Sequence, residues 1–100
     1  MNHESDKDAQ ARLKRIAGQV AGIQRMLDTE RDCVDVLRQI SAVQAALLET
    51  GRVILSGHVE DSLTDVLRSR DVEARRQKLG ALMTVVSRFC RVDPPEGKGA

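Results

Sequence analysis

The chain has almost no aromatic residues: Phe89 is the single one, and Trp and Tyr are missing. Stacking of bases on aromatic rings is therefore excluded as a route to single-stranded nucleic acid. Any core must be built from Leu, Ile, Val, Ala and Met. No apolar run approaches the roughly 20 residues that a membrane span requires. The start, "MNHESDKDAQ", is polar throughout and lacks a secretory pattern, so the expected location is the cytoplasm. Two cysteines in a reducing compartment argue against a structural disulfide. An excess of one charge is also missing: sixteen basic residues face fifteen acidic ones, a net charge of +1. Binding to nucleic acid would thus require the basic residues to gather on one face of the folded, assembled protein. One hundred residues make about one small domain with little room for a core.

What is present is helical periodicity. Ser5-Asp6-Lys7-Asp8 fits a capping box, and Leu13, Ile16, Val20, Ile23 and Leu27 follow at steps of three and four, one face of a first helix. Gly18 and Gly22 interrupt it, either because another helix approaches there or as tolerated helix glycines. Thr29-Glu30-Arg31-Asp32 fits a second capping box. The stripe Leu37, Ile40, Val43, Leu47 and Ile54 then continues through Leu63 to Val66 or Leu67, predicting a long second helix over 31–68, bent where Gly51 and Gly57 fall. A third helix is expected from Asp71, with Glu73 in its first turn and Leu79, Leu82, Val86 and Phe89 as its stripe. Pro94-Pro95 ends it. The expected organisation is a flexible tail over 1–5, a helical domain over 6–92 and a disordered tail over 93–100.

A second helix of that length runs to about 57 Å. Two shorter helices of one small chain cannot cover it. The all-α protomer is therefore expected to bury its stripe against other copies, most simply in an antiparallel dimer, doubled again into a tetramer.

Two residues of the long helix carry chemistry. Cys33 falls in its first turn, where exposed N–H groups and the positive end of the helix dipole favour a negatively charged sulfur, with Arg31 close by. The alternative is a small buried apolar residue. His58 comes 25 residues later, about 37 Å away along a straight helix, so the two cannot meet within one chain. Two antiparallel copies would bring Cys33 of one to His58 of the other, giving two symmetric sites per dimer. Otherwise His58 is a solvated helix histidine. Glu60 and Asp61 sit nearby. Cys90, beside Phe89, reads as a packing residue, and His3 as a solvated residue of the tail.

The strings "RLKRIAGQVAGIQRML", "DCVDVLRQISAVQAAL" and "GHVEDSL" resemble the copper-sensitive operon repressor (CsoR/RcnR) family, and the resemblance runs from about Ala11 to Phe89. It implies an all-α, disc-shaped homotetramer that represses genes for efflux or detoxification until an inducer binds. It also implies an inducer site on the long helix: a first-turn cysteine, matched by Cys33, a histidine 25 residues on, matched by His58, and a third donor at the place of Ser62. Copper-sensing members carry cysteine at that third place and nickel- or cobalt-sensing members histidine. Serine is a poor soft-metal ligand, which bears directly on Cu(I) binding.

Three readings of the effector stay open. Cu(I) or another thiophilic metal binds Cys33 and His58, with Cys90, His3 or water completing the set. Alternatively, formaldehyde links Cys33 to the N-terminal amine, although position 2 is not proline. In the third reading Cys33 senses persulfide or oxidant, with Cys90 as the partner thiol.

The expected DNA-binding residues are Arg12 and Arg15, three apart on one helix face, extended by Lys14, Arg25 and Arg52. The resemblance assigns Arg12 of the "RLK" motif to DNA. A further family position that is often basic is Glu49 here. Contact is expected to be rich in phosphates and sensitive to salt, with operator sequence read through DNA shape. Nothing supplies a pocket, an orienting group or an oxyanion hole for an enzymatic Cys–His pair.

Overall fold

The computed structural model describes residues 2–90 of the 100-residue chain, so Met1, Pro94-Pro95 and the tail expected over 93–100 lie outside the described residues. Three helices follow one another: α1 (His3–Asp28), α2 (Cys33–Arg68) and α3 (Val72–Cys90), with no strand among the described residues. The all-α expectation holds. The chain divides into two compact units, one running to His58 and the other from Val59 onward.

The first unit is α1 packed on the first part of α2. Its buried positions on α2 are Val36, Val43, Thr50 and Gly57, each seven residues after the last. Those on α1 are Ala9 and Ile16, also seven apart. A repeat of seven is the signature of two helices lying nearly along each other with a slight left-handed coil. Thr50 is 2% exposed, and its hydroxyl donates to the Ala46 carbonyl at 2.8 Å, so the buried polar atom is satisfied.

Side-chain volume falls along this seam, from Val36 and Val43 through Thr50 to Gly57. At Gly57 the first turn of α1 closes in. A Cβ built there would lie 2.7 Å from Ser5 Cβ and 2.8 Å from Asn2 Cβ. α2 runs unbroken through Gly57, and the glycine serves a close approach of helices. Gly18 and Gly22, the positions singled out for such an approach, have no packed neighbour in the chain beyond the Arg25 side chain at 3.7 Å from Gly22.

The helix starts are corrected. α1 begins at His3, before the expected Ser5 cap, because the Asn2 side chain accepts from the Ser5 N–H at 3.0 Å and the Asp6 N–H donates to the Asn2 carbonyl at 2.9 Å. His3 is therefore helical. Thr29 closes α1 instead of opening α2: its hydroxyl donates to the carbonyl of Arg25 at 3.0 Å. The Arg31 N–H donates to the Met26 carbonyl at 3.0 Å and the Glu30 N–H to the Leu27 carbonyl at 3.3 Å. This is the Schellman pattern, which puts Glu30 in the left-handed region at φ 56°. Asp71 caps α3 as expected, its carboxylate accepting from the Glu73 N–H at 3.3 Å.

In the second unit, covering the end of α2 and α3, Leu82 is buried and Val59, Ser62, Val66, Ala74 and Val86 are half-buried. Among the described residues, no helix is long and apolar enough to cross a membrane.

Two outcomes follow from this packing. Gly57→Ala should lose up to about 2 kcal/mol in urea unfolding at fixed protein concentration. Its overpacking cost of about 1–3 kcal/mol outweighs the gain of about 1 kcal/mol from replacing a helix glycine. Raised stability would show that the first turn of α1 is not seated there. Glu30→Gly should instead gain about 0.5–1 kcal/mol by relieving the left-handed residue, and a loss would refute the cap.

Candidate effector site and DNA-facing surface

Cys33 is the first residue of α2 and is exposed. Arg31, expected to lend it positive charge, is turned to Asp35, with 3.7 Å between guanidinium and carboxylate; Arg38 approaches the same carboxylate at 4.0 Å. His58, also exposed, follows the Gly57 on which the first turn of α1 rests. The 25 residues between Cys33 and His58 make almost seven full helical turns, so they point within about 20° of each other while standing about 37 Å apart. The structure does not bring them together within one chain. Among the described residues, no three His, Cys, Asp or Glu side chains converge as a metal site.

The strip of α2 between them is apolar and exposed: Leu37 at 55%, Ile40 at 39%, Leu47 at 47% and Ile54 at 37%. Here the stripe read from the sequence divides. Val43 turns into the seam with α1, whereas Leu37, Ile40, Leu47 and Ile54 lie exposed on the adjoining face among the described residues. Cys33 and His58 stand at the two ends of that face.

Ser62 is half-buried in the second unit. Cys90, expected as packing, is the last residue of α3 and is exposed, next to a Phe89 that is 38% exposed. Both cysteines are free thiols.

The chemistry of the donors decides which ligands a site shared by Cys33 and His58 would suit. A thiol and an imidazole suit Cu(I), and a serine hydroxyl does not. Two of the three positions implied by the resemblance thus fit a thiophilic metal.

The basic residues sort into two groups. Arg12 is half-buried, and its Nε donates to Asp8 at 2.9 Å. Arg15 is exposed a turn further along the same side of α1. Arg52 is exposed, with 3.5 Å between its guanidinium and the Glu49 carboxylate. Asp8, which holds Arg12, and Glu49, which holds Arg52, line one open cleft of about 400 Å³ together with Glu4, Ser5, Arg52, Val53 and Ser56. Lys14 departs from this group. It lies two residues, about 200° of helix rotation, beyond Arg12, in a shallow groove with His3, Asp6, Lys7, Gln10 and Ala11. Arg25 lies alongside Gly22, almost three turns beyond Arg15.

Asp8 and Glu49 were not singled out as partners of these arginines. The signal was available, since the pairs stand four and three residues apart on predicted helices.

The model of a family described as metal-sensitive transcriptional repressors matches residues 5–88. The chain is 42% identical over 94 residues to the copper-sensing transcriptional repressor CsoR of Bacillus subtilis (strain 168), covering 91% of this chain and 90% of that protein. It is 51% identical over 49 residues to the CsoR of Mycobacterium tuberculosis (strain ATCC 25618 / H37Rv), covering 49% of this chain and 41% of that protein. It is 45% identical over 53 residues to the copper-sensing transcriptional repressor RicR of the same organism, covering 53% of this chain and 55% of that protein. No solved structure matches. With a helical protomer throughout, and with a family match that spans most of the described residues, the chain belongs to the metal-sensitive transcriptional repressor family.

Proposed function

We propose that the protein is a cytoplasmic repressor that holds double-stranded operator DNA and releases it when Cu(I) binds Cys33 of one chain and His58 of another. One observation carries the assembly: Cys33 and His58 share a face of α2 and bracket an apolar strip that the protomer leaves bare. A second copy laid antiparallel on that strip covers Leu37, Ile40, Leu47 and Ile54 and brings each Cys33 to a His58. Apolar cover and site completion are then one event, and the isologous contact yields two equivalent sites. Further apolar side chains, among them Leu79 and Met83 of the second unit, remain for pairing dimers into a homotetramer.

The copper-sensing relatives support Cu(I) as the effector. In this site Cys33 supplies the thiolate and His58 the imidazole. Ser62 contributes no soft donor, so the site offers one thiolate fewer than the copper pattern. His58 adjoins Gly57, where the first turn of α1 is seated, and that turn carries Glu4 and Ser5 of the cleft. A backbone shift at His58 would therefore reach the bank of the cleft that carries Asp8, the partner of Arg12. The DNA-facing residues are Arg12, Arg15 and Arg52; Lys14 joins them only if DNA also follows the far side of α1. Repression, not catalysis, is the activity, as family membership indicates.

Two experiments bear on this reading. In a gel shift, Arg12→Ala and Arg15→Ala should each weaken binding and lower the slope of log K against log salt by about one unit, leaving Cu(I) uptake intact. An unchanged double variant would rule out this face. For the site, Cys33→Ala and His58→Ala chains should each bind DNA and fail to release it with Cu(I). A dimer of one of each contains one intact and one doubly broken site, and should recover part of the release. Verified heterodimers with no recovery would refute a site shared between chains.

A further inference from the structure

Two of the three arginines proposed to meet DNA, Arg12 and Arg52, are held by carboxylates in the unbound chain. Arg12 is held by Asp8 at 2.9 Å, with side chains 34% and 49% exposed. Arg52 is held by Glu49 at 3.5 Å, with side chains 62% and 51% exposed. Both carboxylates line the one cleft between α1 and α2, and Glu4 adds a third acid there. Three acids thus stand against the three arginines Arg12, Arg15 and Arg52, so this surface carries no net positive charge although it is the place where two helices present their arginines together. The chain as a whole, at +1, supplies no compensating field.

An arginine can give its planar guanidinium to a carboxylate or to a phosphate, and the two compete for the same donors. We infer that Asp8 and Glu49 are affinity-limiting counter-charges of the DNA-facing surface: they occupy Arg12 and Arg52 in the free repressor and must be displaced before either arginine reaches a phosphate. They set how tightly the repressor holds DNA without touching it. The inference rests on the DNA-facing role proposed for Arg12 and Arg52.

The pairs are intrahelical, Asp8–Arg12 at i,i+4 and Glu49–Arg52 at i,i+3. A helix-stabilising role alone would therefore predict a fall in melting temperature on neutralising the acid, with no change in DNA binding. A general repulsion of phosphate by the acids would predict tighter binding whether or not the arginine is present. Only sequestration ties the gain to the arginine.

The test is a pair of double-mutant cycles, read as the dissociation constant for a labelled GC-rich duplex by fluorescence anisotropy at low salt. Asp8→Asn should bind about two- to fivefold more tightly, the range set by the strength of exposed ion pairs, and the gain should vanish in the Arg12→Ala background. Glu49→Gln should behave likewise and lose its gain in Arg52→Ala. Circular dichroism checks that each variant remains helical, and Asp8→Ser replaces Asp8→Asn if it does not. Equal gains with and without the arginine would overturn sequestration in favour of general repulsion. No gain, with Arg12→Ala still weakening binding, would overturn it while leaving the DNA-facing surface in place. No effect of Arg12→Ala or Arg52→Ala would remove the surface itself, and the inference with it.

Discussion

The seam between α1 and α2 is the constraint on which the rest depends. It consumes one face of α2 in steps of seven: Val36, Val43, Thr50 and Gly57. A straight helix drifts by about 20° per such step, so a strict seven-residue seam assigns every other residue of α2 to a definite side. Leu37, Ile40, Leu47 and Ile54 fall beside the seam and stay exposed. Cys33 and His58 fall on that same exposed side because 25 residues are close to a whole number of turns. Had the helices packed along the stripe that contains Leu37 and Ile40, the cysteine and histidine would flank a covered face and no second chain could join them.

The seam also couples two regions that differ in chemistry. Gly57 lacks the Cβ that would strike Ser5 and Asn2, and it precedes His58. The same first turn of α1, capped by the Asn2 side chain, supplies one bank of the acidic cleft. His58 and the acidic cleft are therefore joined through a close contact of the Ser5 and Asn2 side chains with the Gly57 backbone. Interfaces of this closeness pass displacements on because packed helices have no free volume in which to lose them.

The helical periods made the three-helix architecture readable in the sequence, including the long α2 and the Asp71 cap. Element starts were less readable. Thr29 and Ser5 both matched capping boxes, yet Asn2 caps α1 and Thr29 closes it, since short polar residues serve either end of a helix. Apolar spacing alone also merged two faces of α2 into one stripe. Val43 and Leu47 are four apart, and only the partner helix decides that the first is buried and the second bare. Cys33 and His58 are proposed from their helix positions and from the family resemblance together, and both are exposed on α2. The exposure of Cys90 could not be read, because a stripe marks which residues want cover and not whether one chain can supply it.

The near-neutral charge of the chain then has a structural counterpart. A DNA-binding protein with net charge of +1 must concentrate its cations, and this one places Arg12 and Arg52 where α1 and α2 meet but leaves each beside a carboxylate. Exposed ion pairs of this kind contribute little to folding, so stability does not account for keeping the acids at the cleft. Release by an effector shifts an equilibrium only by the difference in free energy between its two states. A repressor that held phosphates with every arginine unopposed would demand a larger difference from a site that offers Cys33 and His58 but serine at the third place. On the proposed reading, a moderate hold on DNA would match a site with two soft donors: the weaker the grip that must be broken, the less the effector has to supply.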